Sequence, residues 1–192
     1  MNFHQVLKGQ IVQLEQFSEI HVADLRAIAF EESIWEHLPY QIRTPDNFKD
    51  YVKQIIVESE NQSQITYVIR LLQNNAIIGC TSFLNIDRQN RKLEIGGTWI
   101  APSAWGTGVN SECKLLLLTH CFEDLNVMRV ELLTRESNIR SQKAIEKNGG
   151  VKEGVIRCHR INADGSFRNT VIYSYIQPEW AIAKAALQQL QH

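Results

Sequence analysis

Gly106, Thr107 and Gly108 stand between a Pro-containing loop and a long apolar stretch that begins at Val109, in the segment LEIGGTWIAPSAWGTGVNSECKLLLL. Residues 93–100 read as a strand, so the order is strand, glycine turn, helix, and that order suits the chemistry of holding a phosphate. Glycine lets the backbone approach a ligand closely, and the first N–H groups of a helix have no partner inside it, so they point at an anion placed there. A pyrophosphate-bearing ligand is the expectation. The familiar glycine nucleotide patterns fit less well: GxGxxG would need glycine where Ser111 stands, and a Walker loop would need Gly-Lys-Ser/Thr. A second pair, Gly96-Gly97, lies inside the strand. Two glycines weaken a strand with no gain in packing, which predicts a bulge or a close approach of backbone to ligand.

The elements that must position this cradle follow from periodicity and turn chemistry. Residues 10–14 alternate as a short strand, and residues 21–30 carry apolar residues at helical spacing. Thr44 and Pro45 predict an N-cap and first position of a second helix, with Phe48, Tyr51, Val52, Ile55 and Ile56 as its buried stripe. Residues 65–72 and 76–84 read as a hairpin turning on Gln73, Asn74 and Asn75. The helix 109–125 is apolar on more than one face, as expected of a helix covered by a sheet and other elements. It joins strand 93–100 to strand 129–134, and such a crossover predicts that the two strands are parallel neighbours. Asn138 predicts the cap of a helix over 139–147 that stops at Gly149-Gly150. Strands 152–161 and 167–176 form a closing hairpin about Asn162 to Gly165, and 179–190 is a terminal helix.

At 192 residues the chain suits one domain, and 20 basic against 21 acidic residues leave a net charge of -1. That balance argues against a nucleic-acid protein held by a basic surface. Cys80, Cys113, Cys121 and Cys158 form no CxxC, so reduced core thiols are expected rather than a metal knuckle. The N-terminus has no basic start with an apolar run, and no stretch approaches the ~18 apolar residues of a membrane span, so a cytoplasmic protein with no membrane or direct nucleic-acid partner is expected.

Together and in this order, the strand LEIGGTWI, the loop-helix PSAWGTGVNSECKLLL, the segment TRESNIRSQKAIEKNGG, the strand EGVIRCHR and the end DGSFRNTVIYSYIQPEW resemble the GNAT superfamily of acyl-CoA-dependent N-acetyltransferases, and within it the RimJ/RimL-like group. The resemblance covers roughly residues 77–180; the first third follows by element order. It implies a single-domain α/β fold over 1–192: a mixed twisted sheet of about seven strands, splayed at the central parallel pair and flanked by helices. Residues 1–64 would form the acceptor side and 77–180 the acyl-CoA-binding core. It also implies acetyl-CoA as acyl donor, no metal, and an amine acceptor, with a homodimer compatible with the sequence.

The family's pyrophosphate motif falls on residues 103–108, with both glycines kept and Ser103 in place of a long polar residue. By the same resemblance, cofactor contacts are Trp99, Ile100 and Ala101 in the splay, Trp105, Gly106, Thr107, Gly108, Val109 and Asn110 in the cradle, and Asn138 and Ser141 at the next helix. Glu94 aligns with the strand carboxylate that serves as general base, and Ser141 with the residue thought to replace the usual acidic tyrosine, whose position is held by Ile145. Asn138 could equally be a plain cap, Trp99 a core aromatic and Glu94 a salt-bridged carboxylate. His159 and His120 could shuttle protons or be structural. Arg157, His159, Arg160 and Arg168 on the last hairpin could meet an acidic acceptor or merely solvate a strand face. Two functions stay open: direct transfer of acetyl to a primary amine in a ternary complex, the acceptor being a protein N-terminal α-amine or a small-molecule amine, or a non-catalytic acyl-CoA-binding module.

Overall fold

The structure, a computed structural model, describes residue 3 and residues 5–38, 41–162 and 165–190. Pro39 and Tyr40 of the aromatic connection and the central two residues of the closing hairpin lie outside the described residues. Among the described residues eight strands form one sheet: β1 (Leu7–Lys8), β2 (Val12–Gln16), β3 (Ile65–Leu71), β4 (Ile77–Asp87), β5 (Lys92–Ile100), β6 (Arg129–Arg135), β7 (Val151–Ile161) and β8 (Phe167–Ile176), in the spatial order β1-β2-β3-β4-β5-β6-β8-β7. The count exceeds the expected seven by β1, a two-residue strand too short to leave an alternation in the sequence.

All neighbouring pairs are antiparallel except β5 and β6, which are parallel as the crossover required. The helices are α1 (Val22–Ile28), α2 (Glu32–Trp35), α3 (Pro45–Glu60), α4 (Val109–Thr119), α5 (Ile139–Lys147) and α6 (Trp180–Gln189). Local chemistry sets their starts. Thr44 Oγ1 accepts the Asn47 N–H at 3.2 Å with Pro45 at the first position of α3, and Asn138 Oδ1 accepts the Ser141 N–H at 3.0 Å at the head of α5. The expected helix 109–125 is α through Thr119, after which residues 120–124 widen into a π turn, with Leu125 N–H bonded to His120 O.

The sheet separates two cores. The larger packs α4 and α6 on one face and includes Leu14, Tyr67, Phe83, Leu93, Ile95, Leu117, Leu118 and Tyr173. The smaller packs α1, α2 and α3 on the other face through Leu25, Trp35, Phe48, Tyr51, Val68, Cys80 and Trp99. Cys80, Cys113 and Cys121 are buried thiols as expected, whereas Cys158 is exposed because β7 is an edge strand with most of its residues in solvent.

Candidate active site

β5 and β6 pair only over Lys92↔Arg129, Leu93↔Val130 and Glu94↔Glu131, yet β5 continues to Ile100 and β6 to Arg135. The strands therefore part after Glu94, and a cleft opens between their carboxyl ends, where ligands of α/β sheets are generally bound. The cause lies on the other side of β5. Against β4, Cys80 faces Trp99 and Ser82 faces Gly96, so one extra residue is inserted at Gly97-Thr98. Gly97 takes φ +58, a conformation that disfavours other residues. The bulge bends β5 away from β6, as the double glycine predicted.

At the far end of β5 the backbone groups divide. Ala101 N–H donates to Ile78 O at 2.7 Å, so Gly79 and Ile100 form a non-hydrogen-bonded pair and the alternation of the ladder turns the Ile100 N–H to the open edge. Of the three backbone candidates, Ile100 thus faces the cleft, while Trp99 and Ala101 are turned to β4. The Trp99 side chain lies in the smaller core, its Nε1 donating to Tyr51 Oη at 2.8 Å and its ring 5.2 Å from that of Trp35.

The cradle follows. Trp105 Nε1 donates to Ile100 O at 2.7 Å and Thr107 Oγ1 to Ala104 O at 2.7 Å, which pins the loop. Gly106 and Gly108 have φ +76 and +83; a Cβ at Gly106 would meet nothing within 4 Å, so backbone conformation rather than crowding demands glycine there. The first N–H of α4 with a helical partner is that of Glu112, on Gly108 O, which leaves those of Val109, Asn110 and Ser111 directed out of the helix end. Arg140 of α5 lies over the Trp105 ring at 4.3 Å and adds a cation to the rim. Open turn, outward N–H groups and nearby guanidinium together fit a pyrophosphate.

Glu94 is 6% exposed and on the face opposite α4, with Asn85 Nδ2 donating to its Oε2 at 2.8 Å. Burial holds its carboxyl above the ordinary range; the Asn85 bond and the charge of Arg160 pull it down, and the charge of Glu131 pushes it up. Asn138 and Ser141 sit where β6 ends and α5 begins, so the cleft is bounded by β5 and the cradle on one side and by β6 and α5 on the other. Ser141 is half-buried and Ile145 is buried in the main core, so α5 offers a hydroxyl but no phenol to the cleft. His120 lies in the π turn, bonded to Asp124 at 2.7 Å and stacked on Phe83, within the main-core layer rather than on the face of Glu94.

Several residues at the site had escaped the sequence reading. Asn85, which holds Glu94, sits at a β4 register shift with φ +50. Lys114 is buried inside α4 with its Nζ 3.1 Å from Thr98 Oγ1, behind the bulge, and burial pulls its ammonium down to about 8. Glu112, also buried, accepts the N–H groups of Gln10, Ile11 and Val12 at 2.7, 2.8 and 2.7 Å and so ties β2 to the head of α4. The signal was present as two charges in the otherwise apolar run ECKLLLL.

The family model for the acetyltransferase (GNAT) domain matches residues 12–151, well over half of the chain. The chain belongs to the GNAT acetyltransferase family. The family uses acetyl-CoA as acyl donor. Among curated GNAT relatives, YdaF of Bacillus subtilis (strain 168), provisionally named a ribosomal N-acetyltransferase, is 34% identical over 110 residues, which make up 57% of this chain and 59% of that protein. The match thus spans about three-fifths of the curated relative's length. A crystal structure from T. thermophilus, provisionally described as an acetyltransferase, superposes with a TM-score of 0.89 at 29% identity and covers 100% of both chains. RimL, a ribosomal L7/L12 alpha-N-protein acetyltransferase solved in complex with coenzyme A, shares the GNAT fold with a TM-score of 0.78 at 21% identity, over 90% of this chain and 98% of that one. Among the described residues no group of three or more His, Cys, Asp or Glu is placed to hold a metal ion, and no helix is long and apolar enough to cross a membrane.

Proposed function

We propose that this chain is an acetyl-CoA-dependent N-acetyltransferase that moves acetyl to a primary amine by direct attack in a ternary complex, the acceptor being a protein N-terminal α-amine or a small-molecule amine. The observation that carries this reading is the position of Glu94, a buried carboxylate on the last paired rung before β5 and β6 part. Acetyl-CoA supplies an acetyl group already activated as a thioester. Gly106, Thr107, Gly108, Val109 and Asn110, with Trp105 at the rim, would hold its pyrophosphate. Ile100, flanked by Trp99 and Ala101, presents its N–H to the cleft, where a donor aimed at a developing oxyanion stabilises it.

Glu94 takes a proton from the incoming ammonium, because only a neutral amine attacks. An α-amine with pKa near 7.8 is about a third neutral at pH 7.5, whereas a lysine-like amine is about 0.1% neutral, so the former asks far less of a carboxylate base than the latter. That favours an α-amine acceptor, the kind on which RimL, an alpha-N-protein acetyltransferase, acts. Ser141, one turn into α5 beside the Asn138 cap, would donate a hydrogen bond to the leaving sulfur. Positioning and oxyanion stabilisation would supply most of the rate.

The test is free-thiol release from acetyl-CoA with a panel of peptides, polyamines and amino sugars. Amine-dependent release with an N-acetylated product supports the reading. Thermal protection by acetyl-CoA with no stimulation by any amine would move the chain to the non-catalytic binding modules, a reading to which the apolar Ile145 lends weight.

A further inference from the structure

The face that carries Glu94 has a second charged feature, at the other end of β6. Val130 and Leu132 enter the main core, so by alternation Glu131, Leu133 and Arg135 point to the face of Glu94. Arg135 pairs with Thr170 on β8, Arg168 lies two residues before Thr170 on the same side, and Arg160 of β7 pairs with Arg168. Three arginines on three adjacent strands therefore share one face. Arg160 reaches it through an irregularity: Ile156 faces Thr170 and Arg160 faces Arg168, so four steps on β7 match two on β8, with Cys158 at φ +50 between them. Bulges of this kind re-aim a side chain.

Among the described residues these arginines lack a contacting counterion, although Arg160 is near enough to Glu94 for its charge to pull that carboxyl down. Among the described residues none of the three forms an ion pair; Arg135 Nη2 donates to Leu38 O at 3.2 Å, while the Nε atoms of Arg135 and Arg168 are shielded from solvent without any acceptor, as is His159 Nδ1 nearby on β7. Neighbouring carboxylates are committed elsewhere: Glu131 and Glu153 to Arg129 at 2.8 and 2.5 Å, and Glu136 to Asn169 at 2.8 Å. The guanidinium of Arg168 is held below the ordinary arginine range by burial and by the charges of Arg135 and Arg160. Each unsatisfied shielded donor is costly to the fold, and like charges add to that. A fold that gathers such groups with no carboxylate in ion-pair contact is arranged for an anion from outside, and arginine forks match a carboxylate in two-point geometry.

We propose that the acceptor carries a carboxylate as well as its amine, and that Arg135, Arg160 and Arg168 bind this carboxylate while the amine lies at Glu94. The proposal rests on the reading of Glu94 as the acceptor-side base. Glu131, beside Glu94, and Arg135 are four residues apart on β6, about 13 Å between Cα positions before the side chains reach inward. An extended peptide advances about 3.5 Å per residue. The spacing suits an α-amine followed, at the second or third residue, by an acidic side chain or a free chain terminus.

The test uses the full chain and two readouts. Rates of acetylation are measured for Ala-Glu-Ala-Ala amide, Ala-Gln-Ala-Ala amide, Ala-Ala and Ala-Ala amide, with wild type, Arg168→Gln and the exposed Arg160→Gln. Binding of the N-acetylated acidic and neutral peptides is measured separately by calorimetry. The expected result is a preference of at least tenfold in kcat/KM for an anionic peptide over its neutral partner, lost in both variants through the acceptor KM, with the acetyl-CoA KM unmoved. A preference for Ala-Glu-Ala-Ala amide assigns the carboxylate to a side chain, and one for Ala-Ala assigns it to a chain terminus. Equal rates on charged and neutral peptides overturn the proposal and leave the acetyltransferase reading standing. A rise in the acetyl-CoA KM in either variant also overturns it, since the arginines would then serve the donor's phosphates. If no peptide is acetylated, arginine-dependent binding of the acidic peptide alone upholds the anion site while the catalytic reading falls; absence of that binding sinks the anion site too.

Discussion

Glu94 and Glu131 stand side by side on the last rung that joins β5 to β6, and beyond them the strands part. Their environments differ. Glu131 is paired with Arg129 at 2.8 Å, whereas Glu94 holds only the Asn85 amide and is the more deeply buried. Burial above all, and to a lesser degree the like charge of Glu131, push Glu94 toward its neutral form, which makes it the carboxyl poised to exchange a proton.

Glu94→Gln should lower kcat by about a hundredfold, the low end for loss of a general base, with the acetyl-CoA KM unchanged. The sign of the pH effect follows from the raised carboxyl. The base form exists only above a pKa that exceeds 4.5, so the acidic limb of kcat/KM lies above that value in the wild type and disappears in the variant. Asn85→Ala removes a bond that stabilises the ionised form and should move the limb further up. Thiol release followed from pH 5 to 9 reads both, and an unmoved profile in both variants returns Glu94 to a structural role.

Gly108→Val should weaken acetyl-CoA binding at least tenfold. A β-branched residue resists φ +83, and its side chain would stand at the mouth of the helix end, although the nearest neighbour of a Cβ there is only Ile11 Cδ1 at 3.8 Å. Calorimetric titration of a folded variant decides it.

Lys114 gives a stability prediction with a definite sign. The unfolded side chain titrates near 10.5 and the folded one near 8, so the folded chain binds fewer protons between those values and stability rises with pH across that window. Below pH 8 both states are charged and the penalty of burial is at its full size, on the order of 3 kcal/mol. Lys114→Met should therefore stabilise the protein most at pH 7, with an advantage that shrinks from pH 8 to 10.5. Urea unfolding of both proteins at pH 7, 9 and 10 measures the difference.

Glu112 should be among the residues least tolerant of change. Glu112→Ala strips three backbone N–H groups of their acceptor, of which only that of Val12 belongs to a buried residue, and should cost about 3 kcal/mol. Gly9→Ala attacks the same contact from the other side, since its Cβ would lie 2.5 Å from Glu112 Cδ. Chemical denaturation should rank both far below exposed controls such as Ile182→Ala.

The sequence by itself determined the order of elements, the parallel pair, the bulge and the glycine cradle, because each is written in local terms: period, cap, turn residue, or a glycine where φ must be positive. Thr44, Asn138, Gly97 and Gly108 act within a few residues of themselves, so their roles are legible from their neighbours. Only the tertiary structure decided what depends on register between distant strands. The closing hairpin already placed Arg160 and Arg168 together as candidates for an acidic acceptor, but Arg135 joins them only because β6 lies beside β8, and an irregularity in β7 turns Arg160 to the shared face. Likewise Glu112 meets residues some hundred positions away, and Ala101 loses its N–H to Ile78 while Ile100 keeps its own for the cleft. Long-range pairing sets which backbone groups and charges remain unsatisfied, and unsatisfied groups are what a ligand can use.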